Sequence, residues 1–133
     1  MLARKKWQIR TIAVLDRVFE ERVAQVDEYG FNRDLDYGTG PETRWLPDSG
    51  DSAEALERRF RQDYIDFEEE TGKPTWVHLI REEVAEAFME SDPARLKHEL
   101  LQVAALCVSF VETIEEHEET ASKDETPAGT PAD

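Results

Sequence analysis

The sequence predicts an all-α protein, a bundle of four antiparallel helices. Apolar residues recur at steps of three and four along four separate segments, and each segment is bounded by capping or breaking residues. No stretch shows sustained period-two alternation between turn residues, so no sheet is expected. With 133 residues the chain can bury one core but is too short for two. The expected organisation is one helical domain over residues 1–117 and a tail over 118–133.

The first helix spans residues 3–29, with Ile9, Ile12, Leu15, Phe19, Val23 and Val26 forming its apolar stripe. Gly30 ends it, because glycine adopts the left-handed conformation of a helix C-terminus without strain. Residues 31–50 form a loop punctuated by Gly38, Gly40, Pro41, Pro47 and Gly50. The second helix starts after an Asp51 or Ser52 cap and runs to Glu70, with Ala53, Leu56, Phe60, Tyr64 and Phe67 on one side. Thr75 caps a third helix from Trp76 to about Glu90, with the stripe Val77, Ile80, Val84 and Phe88. Ser91-Asp92-Pro93 starts the fourth, from Pro93 to about His117, since proline at a first helical position lacks only an N–H that would be unpaired anyway.

The apolar run Leu100 to Val111 is interrupted by Gln102 and Ser109 and falls short of the roughly 20 residues a bilayer requires. It reads as a buried helix, with its Cys107 a small core hydrophobe rather than a nucleophile. One cysteine excludes an intrachain disulfide framework and a thiolate-clustered zinc site. The basic start, with Arg4, Lys5, Lys6 and Arg10, is followed by an amphipathic helix rather than an apolar signal core, so a cytoplasmic protein is expected. Residues 118–133 are polar, with Pro127, Gly129 and Pro131, and are expected to be disordered.

A formal charge of −15 opposes binding to a nucleic-acid polymer or an anionic membrane. The charge is concentrated. Residues 75–117 carry three basic and nine acidic side chains, while the tail carries one and five. Glu82, Glu83, Glu86 and Glu90 lie on the third helix, where positions three and four apart share a face. A short turn makes the fourth helix an antiparallel neighbour, and Glu86 and Glu99 lie at comparable distances from that turn. Three or four carboxylates therefore converge with little cationic compensation, and Gln102, one turn beyond Glu99, is expected to be partly buried beside it. Oxygen ligands without nitrogen or sulfur suit a hard cation, Mg²⁺ or Mn²⁺ before Zn²⁺. The alternative for these glutamates is an ordinary solvated acidic face.

The order Glu82-Glu83-Val84-Ala85-Glu86, then Asp92, Leu96 and Glu99-Leu100-Leu101-Gln102, resembles the signature of the MazG-like all-α nucleoside triphosphate pyrophosphatases. In that signature a Glu-Glu-x-x-Glu helix precedes a helix with Glu-x-x-Asp. The likeness extends upstream through Glu21-Arg22, Gln25, Tyr29-Gly30, the Gly38-Thr39-Gly40-Pro41 loop and Thr75-Trp76, covering about residues 16–116. It implies Mg²⁺-dependent hydrolysis of a (deoxy)nucleoside triphosphate to the monophosphate and pyrophosphate, in a homo-oligomer, dimer or tetramer. The family's metal ligands fall on Glu83, Glu86 and Glu99, and Glu82 becomes a further ligand or the group that orients the attacking water.

Two departures stand out. Gln102 takes the place of the usual Asp and offers a neutral carbonyl oxygen, and where many relatives carry Lys and Arg after the fourth helix this chain has only Lys123. The family pattern makes Arg22 and Gln25 contacts to base or phosphate, against the alternative of inert surface residues. Trp76 is a candidate for stacking on a base, or helix-start packing. Lys73 is a candidate phosphate contact, or a mobile loop lysine. His78, His98 and His117 lack the spacing of a metal pair and read as surface or helix-end residues. The competing functional reading is a catalytically weak or inactive helical module for binding or assembly, motivated by Gln102. The broad apolar surface of the fourth helix adds to the expectation of a dimer.

Overall fold

Helix starts and stops follow local chemistry closely. The computed structural model of the protein describes residues 3–31 and 33–129. Among them are four α-helices, α1 (Lys6–Tyr29), α2 (Ala53–Thr71), α3 (Trp76–Met89) and α4 (Pro93–Gly129), one 3-10 turn (Pro47–Ser49), and no strand. Gly30 closes α1 at φ 86°, its N–H donating to the Val26 carbonyl at 2.8 Å. Of the two candidate caps for α2, Ser52 accepts from the Ala55 N–H at 3.2 Å, while Asp51 pairs with Arg59. Gly72 ends α2 at φ 91° with its N–H on the Glu68 carbonyl. Thr75 caps α3 by accepting from the His78 N–H at 3.3 Å, and the Asp92 carboxylate accepts from the Arg95 N–H at 3.2 Å at the start of α4.

The chain divides into two compact units. One comprises Asp34–Cys107, with α2, α3 and the first part of α4. Ala53, Leu56, Ala85, Ala87 and Leu96 form its buried core. The small Ala53 and Ala85 let α2 and α3 approach closely, and the two helices pack on one another. The preceding loop is bound to the same core: the Gly40 N–H donates to the Phe88 carbonyl at 2.9 Å, and the Thr43 carbonyl accepts from Ala53 at 2.6 Å. Trp45 sets its ring edge-on to Phe60 and Phe88, with centroids 6.1 and 5.0 Å away.

The other unit comprises Met1–Arg33 and Val108–Asp133, so α1 partners the later part of α4. Val14 is its buried apolar residue, 2 % exposed. Around it, Thr11 donates to Glu112 at 2.5 Å, Arg10 forks onto both oxygens of Glu119 at 2.9 Å, and Arg17 contacts Glu115 at 2.7 and 3.0 Å. Hydrogen bonds from Arg10 hold the Glu119 carboxyl below the ordinary carboxylate range.

Three expectations change. The predicted apolar stripe of α1 does not form its core: Ile9, Leu15, Phe19 and Val23 are exposed, because α4 meets α1 on the Val14 face instead. The run Leu100 to Val111 is not buried all round; Leu100, Leu101, Val111 and Cys107 are exposed. The fourth helix does not stop near His117 but continues to Gly129. Glu119 anchors this extension to α1 through Arg10, and Glu, Ala and Lys favour the helical state there. Of the tail expected over 118–133, residues 130–133 lie outside the described residues.

Candidate metal centre

Five glutamates of the 34–107 unit share one region, supplied by α2, α3 and α4. On α3, Glu82 and Glu86 are four residues apart and Glu83 and Glu86 three apart, so all three project from neighbouring positions of one face. The Ala85 and Ala87 side chains on either side of Glu86 are fully buried, which draws this stretch of α3 against its neighbours. Glu57 arrives from α2, next to Leu56 and only 3 % exposed, and Glu99 arrives from α4.

The carboxylates sort into two triads. Oxygens of Glu57, Glu82 and Glu86 lie within 4.8 Å of one another, as do oxygens of Glu83, Glu86 and Glu99. Glu86 belongs to both. Oxygens on opposite sides of a cation stand roughly 4 Å apart at Mg–O distances and roughly 5 Å apart at Ca–O distances. Both triads therefore fit a hard cation in spacing and in donor chemistry.

Electrostatics reports the crowding. Burial raises the Glu86 carboxyl to about 7, reinforced by the charges of Glu83, Glu99 and Glu82 and by a hydrogen bond with Glu99 that favours the protonated form. Glu83 is raised by burial and by Glu99 and Glu82, with His98 opposing. Glu82 is raised by burial and by Glu57, with Arg61 opposing. Arg61 contacts the Glu57 carboxylate at 2.9 Å from the next turn of α2. Arg81 is engaged elsewhere, paired with Asp63 and lying 4.4 Å over the Phe60 ring.

Gln102 is exposed rather than partly buried, because the adjacent face of α4 is open. It nevertheless reaches the cluster. With the amide oriented to satisfy its neighbours, its nitrogen donates to Glu83 at 3.2 Å and Glu99 at 3.0 Å, and its oxygen accepts from His98 Nε2 at 3.3 Å. A groove of about 430 Å³ opens beside it, with Glu82, Glu83 and Gln102 on one side and Tyr64, Leu79, Ala105 and Leu106 as the less polar wall. Burial also raises the Tyr64 hydroxyl. A larger cavity of about 730 Å³, lined by Tyr37, Phe88, Leu96 and Leu101 among others, contains none of the five glutamates.

The structure thus brings together Glu82, Glu83, Glu86, Glu99 and Gln102. It does not bring Lys73 or Trp76 into either triad or the groove. Lys73 is exposed in the α2–α3 turn, and Trp76 is half-buried at the first position of α3, some 15 Å along the helix axis from Glu86 at 1.5 Å per residue. Arg22 and Gln25 are exposed on α1, in the other unit, where Arg22 donates to the Phe31 carbonyl at 3.2 Å and lies over its ring. His78 is a helix-end residue, hydrogen-bonded to Thr75 and stacked on Phe67 at 4.5 Å.

Glu57 is the residue sequence reasoning missed. Its signal was an acid inside an apolar stripe, four residues after Ala53 and three before Phe60, where a charge needs a partner to be buried. No protein-family model matches this chain, and neither a curated protein nor a solved structure is found to match it.

Proposed function

We propose that the protein is a Mg²⁺- or Mn²⁺-dependent nucleotide pyrophosphohydrolase of the MazG-like all-α type, cleaving a (deoxy)nucleoside triphosphate to the monophosphate and pyrophosphate. One observation carries the reading: Glu86 is shared by two carboxylate triads on the face of three helix segments. Glu83, Glu86 and Glu99 would hold one cation, and the Gln102 carbonyl oxygen would serve the same site with its amide turned. A bound divalent cation neutralises phosphate charge and lowers the pKa of a coordinated water. Glu82, raised by burial, orients the attacking water and takes its proton. The Tyr64, Leu79 and Leu106 wall of the groove receives the nucleoside. A homo-oligomer belongs to the same reading. Among the described residues no helix is long and apolar enough to cross a membrane.

Purified protein incubated with a panel of NTPs and dNTPs and either cation releases pyrophosphate from at least one of them, and Glu86→Gln abolishes release. Silence across the whole panel overturns the reading. The second reading, a catalytically weak or inactive binding module, is favoured by one contact. The Gln102 amide bridges Glu83 and Glu99 as a neutral donor, which relieves their repulsion without an ion. In that case Mg²⁺ and Mn²⁺ leave the melting temperature unchanged, whereas a stabilisation lost in Glu86→Gln counts against it.

A further inference from the structure

Gln102 stands at a junction of three side chains. Glu99 and His98 lie one turn earlier on α4, three and four residues before it, and Glu83 reaches across from α3. The two ends of the Gln102 amide divide these neighbours. One end lies 3.2 Å from a Glu83 oxygen and 3.0 Å from a Glu99 oxygen, and the other lies 3.3 Å from His98 Nε2. All four residues belong to the 34–107 unit. The ends differ in chemistry but hardly in shape, since the NH2 group only donates and the carbonyl only accepts. A half-turn of the amide therefore exchanges donor for acceptor at both contacts while every side chain keeps its place.

We infer that His98 is a positioning residue, which sets the end of the Gln102 amide that faces Glu83 and Glu99 by which of its ring nitrogens carries the proton. The inference rests on the cation site proposed above. Without a cation, the two carboxylates accept from the NH2 group, the carbonyl turns to His98, and Nε2 carries a hydrogen to donate to it. With a cation on Glu83, Glu86 and Glu99, the NH2 group is repelled and the carbonyl oxygen is the favoured end. The amide then turns, its NH2 group faces Nε2, and Nε2 accepts. A neutral imidazole meets this demand by giving the Nε2 proton to water and taking another on Nδ1, with no change in net charge. Partners of this kind, one step removed from an ion, orient the groups that touch it. A carboxylate at position 102 could not behave so, because it only accepts and would keep Nε2 a donor in both states. Glutamine makes a site that presents its last oxygen only when an ion is there to receive it.

Hydrogen–nitrogen correlation spectra of the imidazole rings distinguish the two tautomers. They are recorded on the full chain with and without saturating Mg²⁺, at a fixed pH of about 8, where a free imidazole is neutral. His98→Asn identifies the His98 signals among those of the three histidines. Mg²⁺ is expected to raise the melting temperature and to shift the His98 ratio toward Nδ1–H at least about threefold, the change that a modest net hydrogen bond supplies. Gln102→Glu and Gln102→Leu keep the rise in melting temperature through Glu83, Glu86 and Glu99, but their His98 ratio no longer responds. The first presents only acceptors and the second presents neither end, so either serves if the other fails to fold. A melting temperature that rises with Mg²⁺ while the wild-type His98 ratio stays fixed overturns this inference and leaves the cation site standing. A His98 response that persists in Gln102→Leu does the same. No effect of Mg²⁺ on the melting temperature or on the backbone amide signals of Glu83, Glu86 and Glu99 overturns the cation site and this inference together.

Discussion

The two units of this chain handle polar side chains in opposite ways. In the unit of α1 and the later part of α4, charges sit at the surface in complementary pairs, Arg10 with Glu119 and Arg17 with Glu115, while water screens them. In the unit of α2, α3 and the start of α4, five carboxylates are gathered with Arg61 and His98 as the opposing groups, and one of them, Glu57, is almost fully enclosed. The first arrangement is comfortable and specifies how two helices align. The second costs free energy in the isolated protein, and a bound cation would relieve it, whereas the ion pairs already neutralise themselves.

The contrast is tested most strongly by substituting one acid from each unit. Glu86→Gln is expected to reduce pyrophosphate release by at least about a hundredfold and to remove stabilisation by Mg²⁺, because it takes a ligand from both triads. Glu119→Gln leaves both unchanged; nucleotide assays and thermal shifts on the two variants check this. A smaller effect is expected from Leu56→Ala, which opens a cavity beside Glu57 at the α2–α3 contact and costs about 2–5 kcal/mol. Denaturant unfolding measures that cost, and amide exchange along α2 and α3 locates it.

Titration separates the units further. The Glu86 carboxyl is held at about 7 in the folded protein, above its ordinary value of 4.5. The folded state therefore binds the proton more tightly than the unfolded one. This contribution to stability is fully present below pH 4.5 and lost as pH rises through 7. Melting curves of metal-free protein across that window should fall toward neutral pH in the wild type, and less so in Glu86→Gln. The mildest perturbation is Ser52→Ala, which removes the α2 cap and costs about 1 kcal/mol, again read from denaturant unfolding.

What sequence reasoning could see was set by range. Caps and breaks act within four residues, so Gly30, Ser52, Thr75 and Asp92-Pro93 marked the helices accurately. The grouping of Glu82, Glu83 and Glu86 is likewise local to one helix, and Glu99 followed from a short turn. Glu57 was hidden because its meeting with Glu82 depends on how α2 lies on α3, which periodicity does not specify. The stripe of α1 was detected as a stripe, but period alone cannot tell which neighbour a face meets. The extension of α4 to Gly129 escaped notice because residues 118–124 have no apolar rhythm. Their helix is tied to α1 by Glu119 rather than by a hydrophobic stripe.

The segment between α1 and α2 behaves as two different tethers. From Gly40 onward it is anchored: the Phe88 carbonyl takes the Gly40 N–H, Pro41 and Thr43 bind the first turn of α2, and Trp45 lies against two phenylalanine rings. Residues 33–38 are exposed. Lengthening the chain there changes only a closure entropy that grows logarithmically with length, whereas an insertion between Gly40 and Trp45 displaces a backbone already bonded at both ends. The chain thus contains a natural splice point at the very start of the unit that carries the glutamates.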